Sequence, residues 1–444
     1  MINLRPLLLI PALAAVLCAA AAAPALALDA VPGEVVVQYE PGSPAQAAAA
    51  AGAAPQVLRV KDVPAAIERL RRHPGVRYAV PNVRARVAQS GAGATFVPND
   101  PGDTGTAGGW QALQWNFAGE FGVHAPEAWA NAIAAGAPGG RGVTIAVLDT
   151  GVAYRTRSPY RISPDFRPPQ FVRGYDFVDR DRFPFDRNGH GTHVAATIAE
   201  ATNNGVALTG LAYGARIMAV RVLDSVGEGN ATDIARGVRY AARHGAKVIN
   251  LSLEFDADVR ARDIPQLLQA IAYARSRGAL VVGAAGNEGR GSIAYPARAY
   301  GVTSVGATTE HGCVSEFSNF GRGLDLVAPG GGADTALADD PNCGATESNG
   351  RNIVQLTFSG RSATKFGMPT TYEGTSMAVP HVSATAALVL ATGVLGRNPS
   401  PATLEKHLKR TARDLGPAGP DSRYGSGLVD AAAATAPGGG GIVG

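Results

Sequence analysis

The sequence predicts an α/β protein, with a doubly wound, mostly parallel sheet that carries helices on both faces and follows a small α+β domain. Short apolar runs alternate with helical patterns over most of the chain, which is typical of buried parallel strands joined by helices. A separate strand–helix–strand pattern comes first. With 444 residues, 46% of them hydrophobic, the chain is long enough for a sizeable core.

The N-terminus is typical of a secretory signal peptide. Arg5 is followed by an apolar run over residues 6–23, and the small residues Ala25 and Ala27 suit cleavage before Leu28. The alternative is a retained membrane anchor, but this Pro- and Ala-rich run favours removal. We therefore expect a signal peptide at residues 1–27 and a secreted protein, extracellular or periplasmic, with no stable membrane anchor. We expect no other stretch to reach the roughly 20 apolar residues of a bilayer span.

Residues 28–94 are expected to form a propeptide and a linker. Residues 34–39 and 76–80 have strand character, and residues 63–72 have helical spacing. Gly and Ala dominate the end of this segment, which predicts a flexible, protease-accessible linker.

Residues 95–436 are expected to form the main domain, and residues 437–444 a Gly-rich tail. The predicted strands are residues 143–148, 217–223, 248–253, 280–285, 303–307 and 324–328. The predicted helices are residues 190–201, 230–244, 264–277, 375–392 and 401–412. A net charge of +4, with Arg spread along the chain, gives no reason to expect a nucleic-acid partner. We expect a monomer.

Three reactive side chains stand at the ends of predicted elements. Asp149 follows a buried strand, where open α/β sheets place their sites. His190 begins one helix, and Ser376 lies at the N-terminus of another, where free amides favour negative charge. A serine needs an imidazole to take its proton, and the imidazole needs a carboxylate to orient it. Asn287, after another apolar strand, offers an amide that would form an oxyanion hole with the Ser376 amide.

The segments that carry these residues resemble the signature blocks of the subtilisin (subtilase) family of serine proteases. The blocks are Asp149-Thr150-Gly151, His190-Gly191-Thr192-His193, Ala285-Gly286-Asn287 and Gly374-Thr375-Ser376-Met377-Ala378. Along this chain the blocks follow the order Asp, His, Asn and Ser, and this order of the catalytic residues differs from those in chymotrypsin and in α/β-hydrolases. The likeness runs over residues 99–434, and residues 33–87 resemble the family's propeptide, a chaperone and inhibitor. The resemblance implies that the protein is a secreted endopeptidase that cleaves polypeptides by acyl-enzyme chemistry. It also implies that the enzyme binds its own propeptide as a partner.

The resemblance also implies where substrate binds. A peptide is expected to add as a strand along residues 250–253. The expected substrate-binding residues are Leu251, Ser252, Leu253, Glu254, Ala284, Ala285, Gly286 and Glu288. The family usually has glycine where this chain has Glu254. Either this carboxylate forms an acidic rim with Asp256, Asp258 and Glu288 that favours basic side chains, or it points to solvent.

Three loops resemble the family's calcium segments and imply a structural Ca²⁺. The expected ligands are side-chain oxygens of Asp100, Asp165 and Asn204 and carbonyls around Val206 and Leu208. Hard oxygen donors are what Ca²⁺ prefers. A second, weaker ion at Asp176, Asp179 and Asp181 is one interpretation of those acids, and solvated loop carboxylates are the other.

Loss of Cys18 with the signal peptide leaves Cys313 and Cys343. In an oxidising compartment such a pair predicts a disulfide, with two free buried thiols as the alternative.

Other protein classes fit the motifs less well. The Asp-Thr-Gly motif occurs twice, as in aspartic proteases, but too few residues separate Asp103 from Asp149 to build a lobe. His190 and His193 lack the glutamate of a zinc-protease motif, so we expect His193 to pack in its helix. A catalytically silent binding module with the same fold remains the alternative to an enzyme, although no triad residue is missing.

Overall fold

The computed structural model describes residues 30–48, 54–83, 95–337, 339–344, 349–360 and 362–437. The predicted signal peptide, residues 84–94 of the predicted propeptide and linker, and the tail beyond Pro437 lie outside the described residues. The chain divides into two compact units, Met1–Ser90 and Gly91–Gly444.

The smaller unit is an α+β structure. Its elements are β1 (Ala30–Tyr39), α1 (Pro44–Ala48), β2 (Gln56–Arg59), α2 (Val63–Arg71) and β3 (Val76–Val83). The strands form an antiparallel sheet in the order β2-β1-β3. Asp62 caps α2 by accepting a hydrogen bond from the Ala65 amide at 3.0 Å. Val35, Val37 and Ala79 from the sheet pack with Ala66 from the helix to form a small core. The predicted strand–helix–strand pattern is confirmed.

The larger unit alternates helices and strands. Its helices are α3 (Trp110–Leu113), α4 (Trp115–Ala118), α5 (Ala125–Ala134), α6 (His190–Ala199), α7 (Ala231–Arg243), α8 (Pro265–Ser276), α9 (Thr375–Thr392), α10 (Pro401–Thr411) and α11 (Ala431–Thr435). Its strands are β4 (Thr144–Asp149), β5 (Phe171–Asp176), β6 (Arg216–Arg221), β7 (Val248–Leu251), β8 (Leu280–Ala284), β9 (Val302–Thr308), β10 (Leu326–Pro329), β11 (Thr357–Phe358) and β12 (Phe366–Gly367).

Seven of these strands form one parallel sheet in the order β10-β9-β8-β7-β4-β6-β5. Strands β4, β7, β8 and β9 are buried along their whole length, which explains the mostly apolar sequences of β4, β7 and β8. Residues of α6 and α9 belong to the core on one face of the sheet, and residues of α7 and α8 to the core on the other. The predicted doubly wound sheet with helices on both faces is confirmed.

The chain reverses its direction of winding beside β4. It passes from β4 to β5 and β6 on one side of the sheet and then returns to β7 on the other side. Doubly wound proteins bind ligands at such a reversal, beyond the carboxyl ends of the strands. Asp149, the last residue of β4, therefore stands at the expected place for a site.

The predicted strands and helices of this unit all occur, with ends displaced by at most two residues. Nine elements of the two described units were not predicted, namely α1, α3, α4, α5, α11, β2, β5, β11 and β12. Three of them show why. Helix α5 is Ala-rich and buries Ala125, Ala128, Trp129 and Ala132, so it lacks a clear polar face. Strand β5 is a partly exposed edge strand, and β2 is a short edge strand with no fully buried residue.

Among the described residues, α9 is the one helix long and apolar enough to cross a bilayer. The expectation that no stretch beyond the N-terminus has this length and composition is therefore wrong. However, 78% of the 18-residue window is buried inside the fold. Helix α9 is thus the central helix of the core.

Candidate active site

Asp149 ends β4 with a fully buried carboxylate. Its Oδ1 accepts hydrogen bonds from the Thr150 amide at 2.7 Å and from Nδ1 of His190 at 2.8 Å. The second oxygen, Oδ2, has no partner within the described structure. The carboxylate is therefore fixed in position and directed at the imidazole.

His190 is the first residue of α6, and close packing brings it to Asp149. A Cβ at Gly191 would collide with the Gly151 carbonyl and would lie 3.0 Å from Oδ1 of Asp149, so only glycine allows this approach. Burial lowers the pKa of His190, but the charge and hydrogen bond of Asp149 and the charge of Asp186 outweigh burial. The net effect is a raised pKa.

Asp186 holds the segment around His190 in place and was not identified from the sequence. This buried carboxylate accepts hydrogen bonds from the hydroxyls of Thr150 (2.9 Å) and Thr192 (2.6 Å) and from the amides of Asn188 (2.8 Å), Gly189 (3.0 Å) and Thr192 (2.9 Å). It therefore ties the loop before α6 to the end of β4. An isolated Asp before a glycine-rich turn gives no sequence signal for such a role.

Ser376 lies in the first turn of α9, and hydrogen bonds tie it to the end of β7. Its hydroxyl donates to the Ser252 carbonyl at 3.3 Å, and the Ser252 hydroxyl donates to the Ser376 carbonyl at 2.8 Å. Asn250 donates from its side-chain amide to the same Ser252 hydroxyl at 2.9 Å. The serine is thus held at the carboxyl edge of the sheet, in the cleft that His190 also lines.

Asn287 follows β8 and faces the start of α9. Its side-chain oxygen accepts hydrogen bonds from the Thr375 amide at 2.7 Å and from the Thr375 hydroxyl at 3.0 Å. A backbone N–H can only donate, so this contact fixes which end of the amide is oxygen and leaves Nδ2 on the opposite side. The sequence predicted Asn287 as an amide donor but did not identify Thr375 as the residue that orients it.

Glu254 does not point to solvent. Its Oε1 accepts from Nδ2 of Asn287 at 2.9 Å, and its Oε2 accepts from the Asn287 backbone amide at 3.1 Å. The side chain is half-buried, and its pKa is raised by burial first and then by the charge of Glu288. The solvent-facing interpretation is therefore wrong, and the carboxylate reaches the proposed oxyanion donor.

A cleft of about 690 Å³ opens in front of these groups. Thr150, His190, Ser252, Leu253, Glu254 and Ser376 all line it, so residues from four separated segments converge there. Its other lining residues include Glu228 and Asp256, and none of the described lining residues is Lys or Arg. The cleft is therefore acidic.

The remaining predicted substrate residues do not line this cleft. Leu251, Ala284 and Ala285 are buried, so their side chains pack in the fold. Gly286 has φ +111°. Glu288 makes a very short hydrogen bond with the side-chain amide of Asn319.

The predicted calcium residues also come together. Asp100 accepts hydrogen bonds from the amides of Asn203 (2.7 Å) and Asn204 (3.0 Å), and Asp165 accepts from the Asn204 side chain at 2.7 Å. The pKa of Asp165 is raised to about 7, by burial and by the charge of Asp100 against the opposing Asn204 bond. Oδ2 of Asp165 and both carboxylate oxygens of buried Glu200 have no partner within the described structure. Orphaned buried oxygens of this kind suit a hard cation.

No group of three or more His, Cys, Asp or Glu side chains with metal-binding geometry occurs among the described residues. The expected calcium set has only two carboxylates and otherwise needs an amide and backbone carbonyls. In the structure, the Asn204 side-chain oxygen accepts from the Val206 amide at 3.0 Å. That oxygen would have to turn toward the ion.

The acids proposed for a second ion have other partners. Buried Arg221 donates to Asp176 at 3.0 Å and lies 3.2 Å from Asp179, and Oδ1 of Asp181 accepts from the Phe183 amide at 2.7 Å. These acids therefore stabilise a loop. His193 is buried, contacts the Ile353 carbonyl at 3.0 Å and stacks on Tyr372, and its pKa is lowered to about 3 by burial. It packs in its helix as expected.

Cys313 and Cys343 form the predicted disulfide, with Cα atoms 5.0 Å apart. The alternative of two free thiols is wrong for this structure.

The fold and these motifs define a serine protease of the subtilisin type. Residues 140–427 match the Subtilase family, and residues 19–82 match the Fervidolysin N-terminal prodomain. The chain belongs to the subtilase family, and its N-terminal unit is related to a protease prodomain.

Individual relatives agree with this assignment. Subtilisin Savinase from Lederbergia lenta is 40% identical over 299 residues, which cover 67% of this chain and 91% of the relative. A thermophilic serine proteinase from Bacillus sp. (strain AK1) is 36% identical over 337 residues, covering 76% of this chain and 69% of the relative. A solved protease structure from Pseudoalteromonas arctica superimposes with a TM-score of 0.60 and 31% identity, covering 77% of this chain and 99% of that one.

Proposed function

We propose that the protein is a secreted serine endopeptidase that cleaves polypeptides through an acyl-enzyme formed on Ser376. The observation that carries this proposal is the 2.8 Å hydrogen bond between Asp149 and His190, at the wall of a cleft that Ser376 also lines. Nucleophile, base and orienting carboxylate are the three groups that this chemistry needs.

In the proposed reaction, Ser376 turns its hydroxyl from the Ser252 carbonyl toward the imidazole and attacks the peptide carbonyl. His190 takes the hydroxyl proton through Nε2 and later gives it to the leaving amine. Asp149 holds Nδ1–H, fixes the tautomer and stabilises the imidazolium that forms. Water then repeats the sequence on the acyl-enzyme and releases the second product.

The negative oxygen of the tetrahedral intermediate would be held by the Ser376 backbone amide and by Nδ2 of Asn287. Both donors are fixed before the reaction, one by the first turn of α9 and the other by Thr375. The Ser376 amide can therefore stabilise developing charge without a reorganisation cost, whereas Nδ2 of Asn287 must first leave Glu254, to which it donates a hydrogen bond at 2.9 Å. In the family, loss of one such donor lowers kcat by about 10²–10³-fold.

We propose that substrates are extended peptides with a basic side chain near the cleaved bond. Extended chains bind by strand addition, and the end of β7 at Ser252 and Leu253 offers the backbone for it. Glu228, Glu254 and Asp256 give the cleft its negative charge. Charge complementarity then favours Arg or Lys over neutral residues.

We further propose that one Ca²⁺ binds at Asp100, Asp165 and Asn204, with carbonyls near Val206 and Leu208. The buried, partnerless oxygen of Asp165 supports this fit. A bound Ca²⁺ would neutralise these carboxylates and join three loops. Its effect would be on stability, because the loops lie apart from the residues that line the cleft.

We infer secretion from the signal-like N-terminus and self-maturation from the prodomain. Purified active protein should begin near the end of the propeptide at about residue 94, whereas Ser376→Ala should retain the propeptide. N-terminal sequencing of both forms gives the boundary directly.

The proposal is tested by labelling with a fluorophosphonate, which reacts with activated serines. The mature protein should be labelled at Ser376 and should cleave internal bonds of a denatured protein substrate, and Ser376→Ala should do neither. If the protein is folded yet neither labels nor cleaves, the proposal is wrong and the catalytically silent binding module takes its place.

A further inference from the structure

Glu254 holds the residue on which the oxyanion site depends. Its two carboxylate oxygens accept one hydrogen bond each from the side chain and the backbone of Asn287, at 2.9 and 3.1 Å. Because Thr375 fixes the opposite end of the Asn287 amide, the Nδ2 group cannot escape this contact by flipping. The proposed donor is thus already bound to an acceptor in the free enzyme.

This contact opposes the proposed chemistry in two ways. An N–H bonded to a carboxylate is not available to an oxyanion. In addition, a negative charge beside the oxyanion site repels the charge that develops there, and the repulsion is strong where water is largely excluded. The contact between Glu254 and Asn287 therefore stabilises the free enzyme but does not stabilise the transition state of the reaction.

We propose that Glu254 is a latch on the oxyanion donor, engaged in the free enzyme and drawn off Asn287 by a cationic side chain of the substrate. Glu254 then acts as a positioning residue, since it controls the reaction through Asn287. This inference rests on the proposed peptidase function. It adds that a basic side chain raises the rate of the chemical step as well as the affinity.

In this proposal the cationic side chain that pairs with Glu254 comes from the substrate. A Cβ built on Gly286 would lie 2.6 Å from Oε2 of Glu254 and 3.0 Å from Oε2 of Glu288, so the two carboxylates lie close together. The Asn319 side-chain amide lies at the same point and donates a hydrogen bond to Oε2 of Glu288. Neither carboxylate makes an ion pair with a described residue. Glu254 lines the cleft, so a guanidinium or ammonium that enters from the cleft could pair with this carboxylate and release Asn287.

The sequence pattern agrees with a dedicated role. Glu254 replaces the glycine usual in the family at this position, and a glycine has no side chain with which to reach Asn287. Burial and the charge of Glu288 raise the pKa of Glu254 above its ordinary value.

The test compares two peptide substrates that differ only in the residue before the cleaved bond, arginine or its neutral isostere citrulline. In the wild type, kcat should be at least about 10-fold higher for arginine, a part of the ~10²–10³-fold effect of an oxyanion donor. In Glu254→Gly, kcat for citrulline should rise by about the same factor, so that the kcat ratio approaches one. Glu254→Gln, which loses the charge but keeps an acceptor, should lie between.

Glu120→Gln is the matched control. Glu120 is an exposed acid that does not line the cleft, so its substitution changes the overall charge equally. It should leave the kcat ratio as in the wild type, and any effect should fall on KM.

Two results would overturn the latch. If Glu254→Gly and Glu254→Gln label normally with the fluorophosphonate but keep the wild-type kcat ratio, the latch is wrong and the peptidase proposal stands. If neither the wild type nor Glu254→Gly labels or cleaves, the peptidase proposal is wrong and the latch falls with it.

Discussion

Asp149 and His190 share a hydrogen bond of 2.8 Å between a wholly buried carboxylate and an imidazole whose side chain is 24% exposed. The exposure is one-sided, because Nδ1 faces Asp149 and the ring lines the cleft. The same contact that orients the ring also raises its pKa. Asp149 therefore sets the orientation of the His190 ring and, together with the charge of Asp186, its protonation state.

This pair predicts the pH dependence of activity. Catalysis needs the neutral imidazole, so kcat/KM should fall as the pH drops through the His190 pKa, which lies above its ordinary value near 6.5. In Asp149→Asn the acid limb should move to lower pH. The maximal rate should fall by about 10⁴-fold, as in a serine protease of another fold. A pH profile of kcat/KM for both forms measures the shift, and an acid limb that stays in place would contradict the assignment.

The raised pKa of His190 also determines how the stability of the fold depends on pH. Because the folded state raises the pKa of His190, its interaction with Asp149 contributes fully below the unfolded pKa and is lost as the pH rises through the folded pKa. The pair thus stabilises the protein most in mild acid, where the enzyme is least active.

Thr375 offers a second prediction, because its hydroxyl is one of two donors that orient Asn287. Thr375→Val removes that hydrogen bond and should lower kcat by roughly 3- to 10-fold, the net value of one hydrogen bond. Asn287→Ala should lower kcat by about 10²–10³-fold with little change in KM. Thr375→Ser keeps the hydroxyl and should retain the wild-type kcat. A Val variant as active as the Ser variant would show that the Thr375 amide alone orients Asn287.

Sequence predicted the sheet well, because its central strands are short, mostly apolar runs bounded by turns. Strands β4 and β7 are buried along their whole length and are apolar except for Thr144, Asp149 and Asn250. The elements that were not predicted lack a clear contrast between apolar and polar residues. Examples are the Ala-rich α5 and the edge strands β2 and β5.

For the site, the sequence indicated the reactive residues but not the hydrogen bonds that hold them in position. Asp149, His190, Asn287 and Ser376 each follow or begin a regular element, and that local pattern is visible in one dimension. Asp186 and Thr375 act through contacts between segments, and only the fold brings those segments together. Glu254 is the clearest case, since its departure from glycine was visible but its bond to Asn287, 33 residues away, was not.

Calcium removal gives a third prediction. If the ion binds at Asp100, Asp165 and Asn204, EDTA should lower the melting temperature, because a ligand at 100 times its Kd stabilises by about 2.7 kcal/mol. Asp165→Asn should lose most of this EDTA-dependent shift. Asp179→Asn, at an acid paired with Arg221 and Arg187, should keep it. Calorimetric titration of the EDTA-treated protein with CaCl₂ gives a readout independent of activity, and absence of binding heat with no EDTA effect would refute the site.

The disulfide between Cys313 and Cys343 gives the last prediction. It joins residues 30 apart in sequence, and closing a loop of that length restricts the unfolded chain by about 3–4 kcal/mol on the chain-entropy account. The double variant Cys313→Ser/Cys343→Ser should therefore lose about that much free energy of unfolding, measured by denaturant titration. Both proteins should also carry Ser376→Ala, because autolysis would distort the result. Reduction of the unsubstituted protein with dithiothreitol should give the same midpoint as the double variant. If thiol titration shows full reduction and the midpoint does not move, then the loop is already restricted in the unfolded state and the bond adds no stability.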